Sequence, residues 1–179
     1  ALGELSDAQR LAFHDLLSAS MSGEGYGEAT TIMWIDDILH GIEAQRLSSG
    51  AVPAERREMA EKVLNSRSSG NYWIGLFGDP TSKRWGWMIN GHHFAANFTV
   101  VDGRTAFTPL FLGANPQTIQ NGPYAGWRVL DQEIAAGFAM IASLDPAQRK
   151  AAMVADTIDP AQFTGKGRKD AQLSDVGLS

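Results

Sequence analysis

Apolar residues recur at two periods along this chain, and the change of period divides it into parts. In the first part the spacing is helical. Ala8, Leu11, Ala12, Leu16 and Leu17 form one stripe, preceded by Ser6 and Gln9, a Ser-x-x-Gln capping box that places a helix start at Ser6. Gly23-Glu24-Gly25-Tyr26-Gly27 reads as the break after it. Ile32, Ile35, Ile38, Leu39 and Ile42 then recur at helical spacing, which predicts a second helix from about Glu28 to Arg46. Pro53 opens a third, where its missing N–H costs nothing, with Met59, Val63 and Leu64 expected inward.

From Tyr72 to Ala114 the chain turns aromatic and β-branched, with turn residues between short runs. Tyr72–Phe77, Trp85–Asn90, His92–Val101 and Thr105–Leu112 read as strands. Asp102-Gly103 is a two-residue hairpin signal. Short links between strands imply an antiparallel meander of four strands over about residues 72–112. A loop runs from Gly113 to Gly126. Helical spacing then returns from Leu130 to Leu144, and Asp145-Pro146 caps and opens a last helix. The Leu5–Ala12 segment is echoed by Leu144–Ala151, as two helices with similar N-terminal chemistry would be. Strands in the middle and helices on either side predict an α+β fold. The pattern implies one domain over residues 1–156 and an extended polar arm over 157–179.

Composition narrows the function classes. The net charge is −5 and the pI about 5.3, and the densest basic run is the short Lys166–Lys169. Nucleic-acid binding needs clustered Lys and Arg, so it is not expected. No apolar run is long enough to span a membrane. There is no cysteine, which removes disulfides, thiolate-bound metals and thiol nucleophiles. The sequence opens Ala1-Leu2-Gly3 without a Met, which points towards a periplasmic or secreted protein whose leader has been removed.

Candidate chemistry lies with the four histidines. His14 stands beside Asp15 with no convergent partner. His40 shares a helix face with Asp36 one turn before it, an arrangement open to a helix-surface ion pair or to two ligands of a metal. Gly91-His92-His93 is the sharpest feature. Strict strand alternation sends the two rings to opposite faces, His92 with Phe94 and Phe98, His93 with Ala95 and Asn97. Both rings can serve one site only if Gly91 breaks the alternation, for instance through a bulge. Asn97 would lie roughly 13 Å from His93 along the strand, too far to share a metal ion. A carboxylate should complete a metal site, with Asp36 or Glu133 as candidates. Tyr72, Trp85 and Trp87 on neighbouring strands suit the wall of a small-molecule pocket.

In combination, Phe77-Gly-Asp-Pro80, Trp85-Gly-Trp87, Gly91-His92-His93 with Asn97, and Pro109-Leu-Phe111-Leu-Gly113-Ala-Asn-Pro116 resemble the domain of unknown function (DUF) family 3500. The resemblance runs from the first helix to near the C-terminus. It implies no activity. It does imply a longer protein with further histidines beyond Ser179, so a missing C-terminal half or a second chain is an expected partner.

The leading expectation is a metal-dependent enzyme with zinc, copper or iron held by His92, His93 and Asp36 or Glu133, and with His93 and Asn97 acting on the substrate. Its rival is a non-enzymatic module that binds a small ligand or partner through the aromatic hairpin. A third reading gives His92 and His93 a structural role, holding the loop at Asn115-Pro116.

Overall fold

A computed structural model of the chain describes residues 1–153. They fall into two compact units, Ala1–Leu130 and a second that begins at Asp131. The division lies inside the span 1–156 that the sequence pattern treats as one domain. The arm expected over 157–179 lies outside the described residues.

The first unit begins with a single 3-10 turn, then helices α1 (Asp7–Ser20), α2 (Gly23–Ser48) and α3 (Ala54–Asn65). Four strands follow: β1 (Trp73–Gly78), β2 (Arg84–Asn90), β3 (Phe94–Val101) and β4 (Arg104–Leu112). They pair antiparallel in the order β1-β2-β3-β4, the meander that short turns require. With helices before and after the sheet, the fold is α+β.

The core lies between α1, α2 and one sheet face. Trp87 and Ile89 on β2 and Phe94, Ala96 and Phe98 on β3 alternate inward, as the two-residue strand period demands. They meet Phe13 and Leu17 of α1 and Ile32 and Ile35 of α2. Trp87 and Phe98 stack with centroids 4.3 Å apart. Each such side chain contributes about 1.5–3 kcal/mol by leaving water. No helix among the described residues is long and apolar enough to cross a membrane.

Turn chemistry sets the sheet register. Asp102 and Gly103 adopt φ of 50° and 77°, the left-handed pair that a tight hairpin between twisted strands needs. The second unit contains α4 (Asp131–Ser143) and α5 (Pro146–Ala152). Asp145 caps α5 by accepting from the Gln148 N–H, and Gln148 returns the bond, as Ser6 and Gln9 do at α1.

Several local expectations are corrected. The Gly23–Gly27 segment does not break the helix but forms the first turns of α2. Ser22 accepts from the Gly25 N–H as N-cap, and Tyr26 packs against the core, which offsets the poor helix propensity of glycine. On α1 the buried residues are Phe13 and Leu17, while Leu11 is exposed. Met59 is exposed too, because α3 packs along α2 and has no fully buried residue. His92 and His93 precede β3 rather than belonging to it.

Candidate functional site

The site is built around Asp36, the one buried charged side chain among the described residues. It sits midway along α2, on the face turned to the sheet. A carboxylate without water needs partners for both oxygens, and it has three. Tyr72 donates its hydroxyl to Oδ2 at 2.6 Å. The Nδ1 atoms of His93 and His92 both meet Oδ1, at 2.6 and 3.0 Å.

Gly91 makes this convergence possible, though not through a bulge. The ring of Tyr72 lies directly on its backbone, and a Cβ at Gly91 would stand 2.2 Å from Tyr72 Cδ1. The Gly91 N–H donates to the Phe94 carbonyl at 2.9 Å and closes the turn between β2 and β3. His92 and His93 stand in that turn, so strand alternation does not apply to them. Their rings lie 3.7 Å apart between centroids, inclined by 56°. The Tyr72 hydroxyl also accepts from the His93 N–H at 3.3 Å. One phenol therefore links carboxylate and turn.

Two ionisation preferences follow. Burial alone would push the Asp36 carboxyl up, but hydrogen bonds from His93, Tyr72 and His92 outweigh it and hold the group below the ordinary carboxylate range. Burial, reinforced by the bond to Asp36 and its charge, pushes the Tyr72 phenol far above the ordinary tyrosine range. Asp36 is thus an anion and Tyr72 a neutral donor.

Arg67, which the sequence reading overlooks, decides the state of His92. Its Nη1 lies 3.0 Å from His92 Nε2. A guanidinium only donates, so His92 Nε2 must accept and carry no proton. The proton is on Nδ1 and goes to Asp36. His92 is a neutral imidazole with both nitrogens committed. His93 differs: its Nδ1 faces Asp36, and its Nε2 has no partner among the described residues. The side chain is 16 % exposed.

Arg67 is itself held from α2. Glu43 pairs with its Nε at 2.9 Å. His40 Nδ1 donates to the carbonyls of Leu64 and Arg67, at 3.2 and 3.0 Å. Asp37 accepts from the Ser69 N–H at 2.8 Å. His40 therefore anchors a loop and does not pair with Asp36. A polar clue was present in sequence, an arginine inside Ser66-Arg67-Ser68-Ser69-Gly70 just before the first strand.

The family model for proteins of this kind matches residues 1–179, the whole chain. The chain belongs to the family described as Protein of unknown function (DUF3500). No curated protein and no solved structure matches it. In this DUF3500 protein the structure brings together Asp36, Tyr72, His92 and His93 of the residues singled out from sequence. Asn97 is elsewhere, donating to the Pro109 carbonyl at 3.3 Å. Glu133 is an exposed residue in the first turn of α4, within the second unit. Trp87 is core, Trp85 packs against the core, and Tyr72 contributes through its hydroxyl rather than as a ligand wall. His14 Nδ1 meets the Tyr26 hydroxyl at 3.0 Å, a contact between α1 and α2.

Proposed function

We propose that this cluster is the catalytic centre of an enzyme in which His93 transfers a proton. The supporting observation is the short bond between His93 Nδ1 and a buried Asp36 whose other oxygen is held by Tyr72. A carboxylate so placed fixes the ring's orientation and favours the tautomer with Nε2 available. It also stabilises the imidazolium once Nε2 has taken a proton. The substrate's proton, from a water or hydroxyl, would go to Nε2 and return to the leaving group. His92 and Arg67 flank this pair and keep the carboxylate in place. On any substrate the wild type turns over, His93→Gln should lower kcat by about a hundredfold or more, the usual worth of general acid–base catalysis. Undiminished turnover in His93→Gln would end this reading.

A second reading, a metal-dependent enzyme, is favoured by one observation. Asp36, His92 and His93 each offer a donor atom, and the three lie within 4.8 Å of one another. Imidazole and carboxylate suit zinc, copper or iron. Ligation through His92 Nδ1 would require that atom to lose its proton, which Arg67 at Nε2 opposes. The two readings separate in Arg67→Met. On the metal reading this variant binds zinc more tightly than wild type, and His92→Ala binds none. On the proton-transfer reading, neither wild type nor Arg67→Met takes up zinc stoichiometrically by titration and elemental analysis.

A further inference from the structure

Away from the histidine cluster, the end of α2, the link after it and the α3 face from Arg56 to Val63 line an open cleft of about 460 Å3. That is the size of a small-molecule pocket. Leu47, Val52, Met59 and Val63 supply an apolar wall. Two cations, Arg46 from α2 and Arg56 from α3, stand on its lining, and among the described residues neither forms an ion pair or hydrogen bond through its side chain. Glu43 also lines the cleft, with its carboxylate Oε2 2.9 Å from Arg67 Nε, so its charge has a partner other than Arg46 and Arg56. Arg57 donates to the Leu47 carbonyl at 3.2 Å and ties the start of α3 to the end of α2.

The protein as a whole is acidic, with a net charge of −5. A local pair of unpartnered guanidiniums over an apolar wall is therefore a selective feature. An inorganic anion would leave the wall uncovered, and a neutral hydrocarbon would leave the cations unanswered. We propose that this cleft is a binding site for an amphipathic carboxylate, such as a medium-chain fatty acid, its chain along the wall and its carboxylate between Arg46 and Arg56. Arg suits this because its planar fork meets a carboxylate with paired N–H donors. The proposal is independent of the reaction assigned to His93.

Calorimetric titration of the whole chain with decanoate, decanol and decylammonium tests it. Decanoate should bind best, and Arg46→Gln/Arg56→Gln should weaken it about tenfold or more, to the level of decanol. Both substitutions are on exposed side chains, so the fold should survive, as circular dichroism can verify. Val63→Trp, which fills the cleft, should abolish binding in a folded protein. Methyl resonances of Leu47, Val52, Met59 and Val63 should shift with decanoate. No decanoate binding to wild type, equal binding of decanol, or unchanged affinity in either variant would overturn the assignment.

Discussion

At the scale of single residues, the site depends on one that has no side-chain chemistry of its own. Gly91 is needed for close approach, since its backbone is the surface on which Tyr72 lies. Gly91→Ala must push the phenol away from Asp36 or open the turn. Overpacking of this kind costs about 1–3 kcal/mol, and here a buried hydrogen bond is lost as well. Urea denaturation should show a destabilisation in that range or above. A shift within about 0.5 kcal/mol, typical of an innocuous surface change, would mean that Tyr72 is not held as described.

Asp36 and Tyr72 also make the stability depend on pH in opposite ways. The folded Asp36 lies below its unfolded value of about 3.8. Its contribution is therefore complete above about pH 4 and lost as pH falls through the lower, folded value. Asp36→Asn should flatten the acid limb of a Tm-against-pH curve. The folded Tyr72 lies above its unfolded value of about 10. Its contribution is present below about pH 10 and disappears as pH rises towards the folded value. Tyr72→Phe should flatten the alkaline limb and lower stability at neutral pH by about 1–3 kcal/mol, because Asp36 Oδ2 is left unpaired in the core.

At the scale of elements, side chains of α2 hold the loop between α3 and β1 in addition to its own backbone turns. Asp37 accepts from the Ser69 N–H, and His40 Nδ1–H donates to the Leu64 carbonyl at the end of α3 and to the Arg67 carbonyl in the loop. In Asp37→Ala or His40→Ala, amide exchange at Ser69 should speed up while that of β2 and β3 stays slow, since the core does not involve these contacts. Uniform acceleration across the sheet would mean that the loop is not a separate local unit.

Element types were legible in the sequence because each rests on short-range physics. The capping boxes at Ser6 and Asp145, the Asp102-Gly103 hairpin and the strand alternation of Phe94, Ala96 and Phe98 are all local. The start of α2 was not, because the glycines of 23–27 argue against a helix that only the Ser22 cap and the packing of Tyr26 make worthwhile. Of the site, Gly91-His92-His93 and Asp36 were visible as residue types. A carboxylate beside the histidines is expected from sequence too, with Asp36 one of two candidates; whether both rings reach it stays open there, because that depends on the rings leaving the strand and on which face of α2 meets the turn. Arg67 was hidden for the same reason. Its role comes from contacts to Glu43 and His92, each separated from it by more than twenty residues.

At the scale of the whole molecule, the division after Leu130 has a spectroscopic counterpart. All five tryptophans, Trp34, Trp73, Trp85, Trp87 and Trp127, lie in the first unit. Tryptophan fluorescence therefore reports on that unit alone, whereas far-ultraviolet circular dichroism also sees α4 and α5. If the units unfold separately, the two urea transitions should not coincide. Superimposable transitions would show that they unfold as one cooperative body.

Helix α2 reads differently once Asp36, Asp37, His40 and Glu43 are taken together. The four residues fall within about two turns of one helix, and each is bound to a different part of the chain: the histidine turn, Ser69, the Leu64 and Arg67 carbonyls, and the Arg67 guanidinium. Such a helix tolerates changes of side chain far better than changes of length. One residue added between Asp37 and His40 rotates everything beyond it by about 100°, so the His40 anchor and the Glu43 counter-ion to Arg67 turn away while Asp36 and Asp37 stay in place. The same insertion after Ser48 would leave all four in register. Indels in α2 should therefore be excluded from the stretch 36–43 and accepted at its C-terminal end, a pattern that a library of single-residue insertions scored for folded protein would reveal directly.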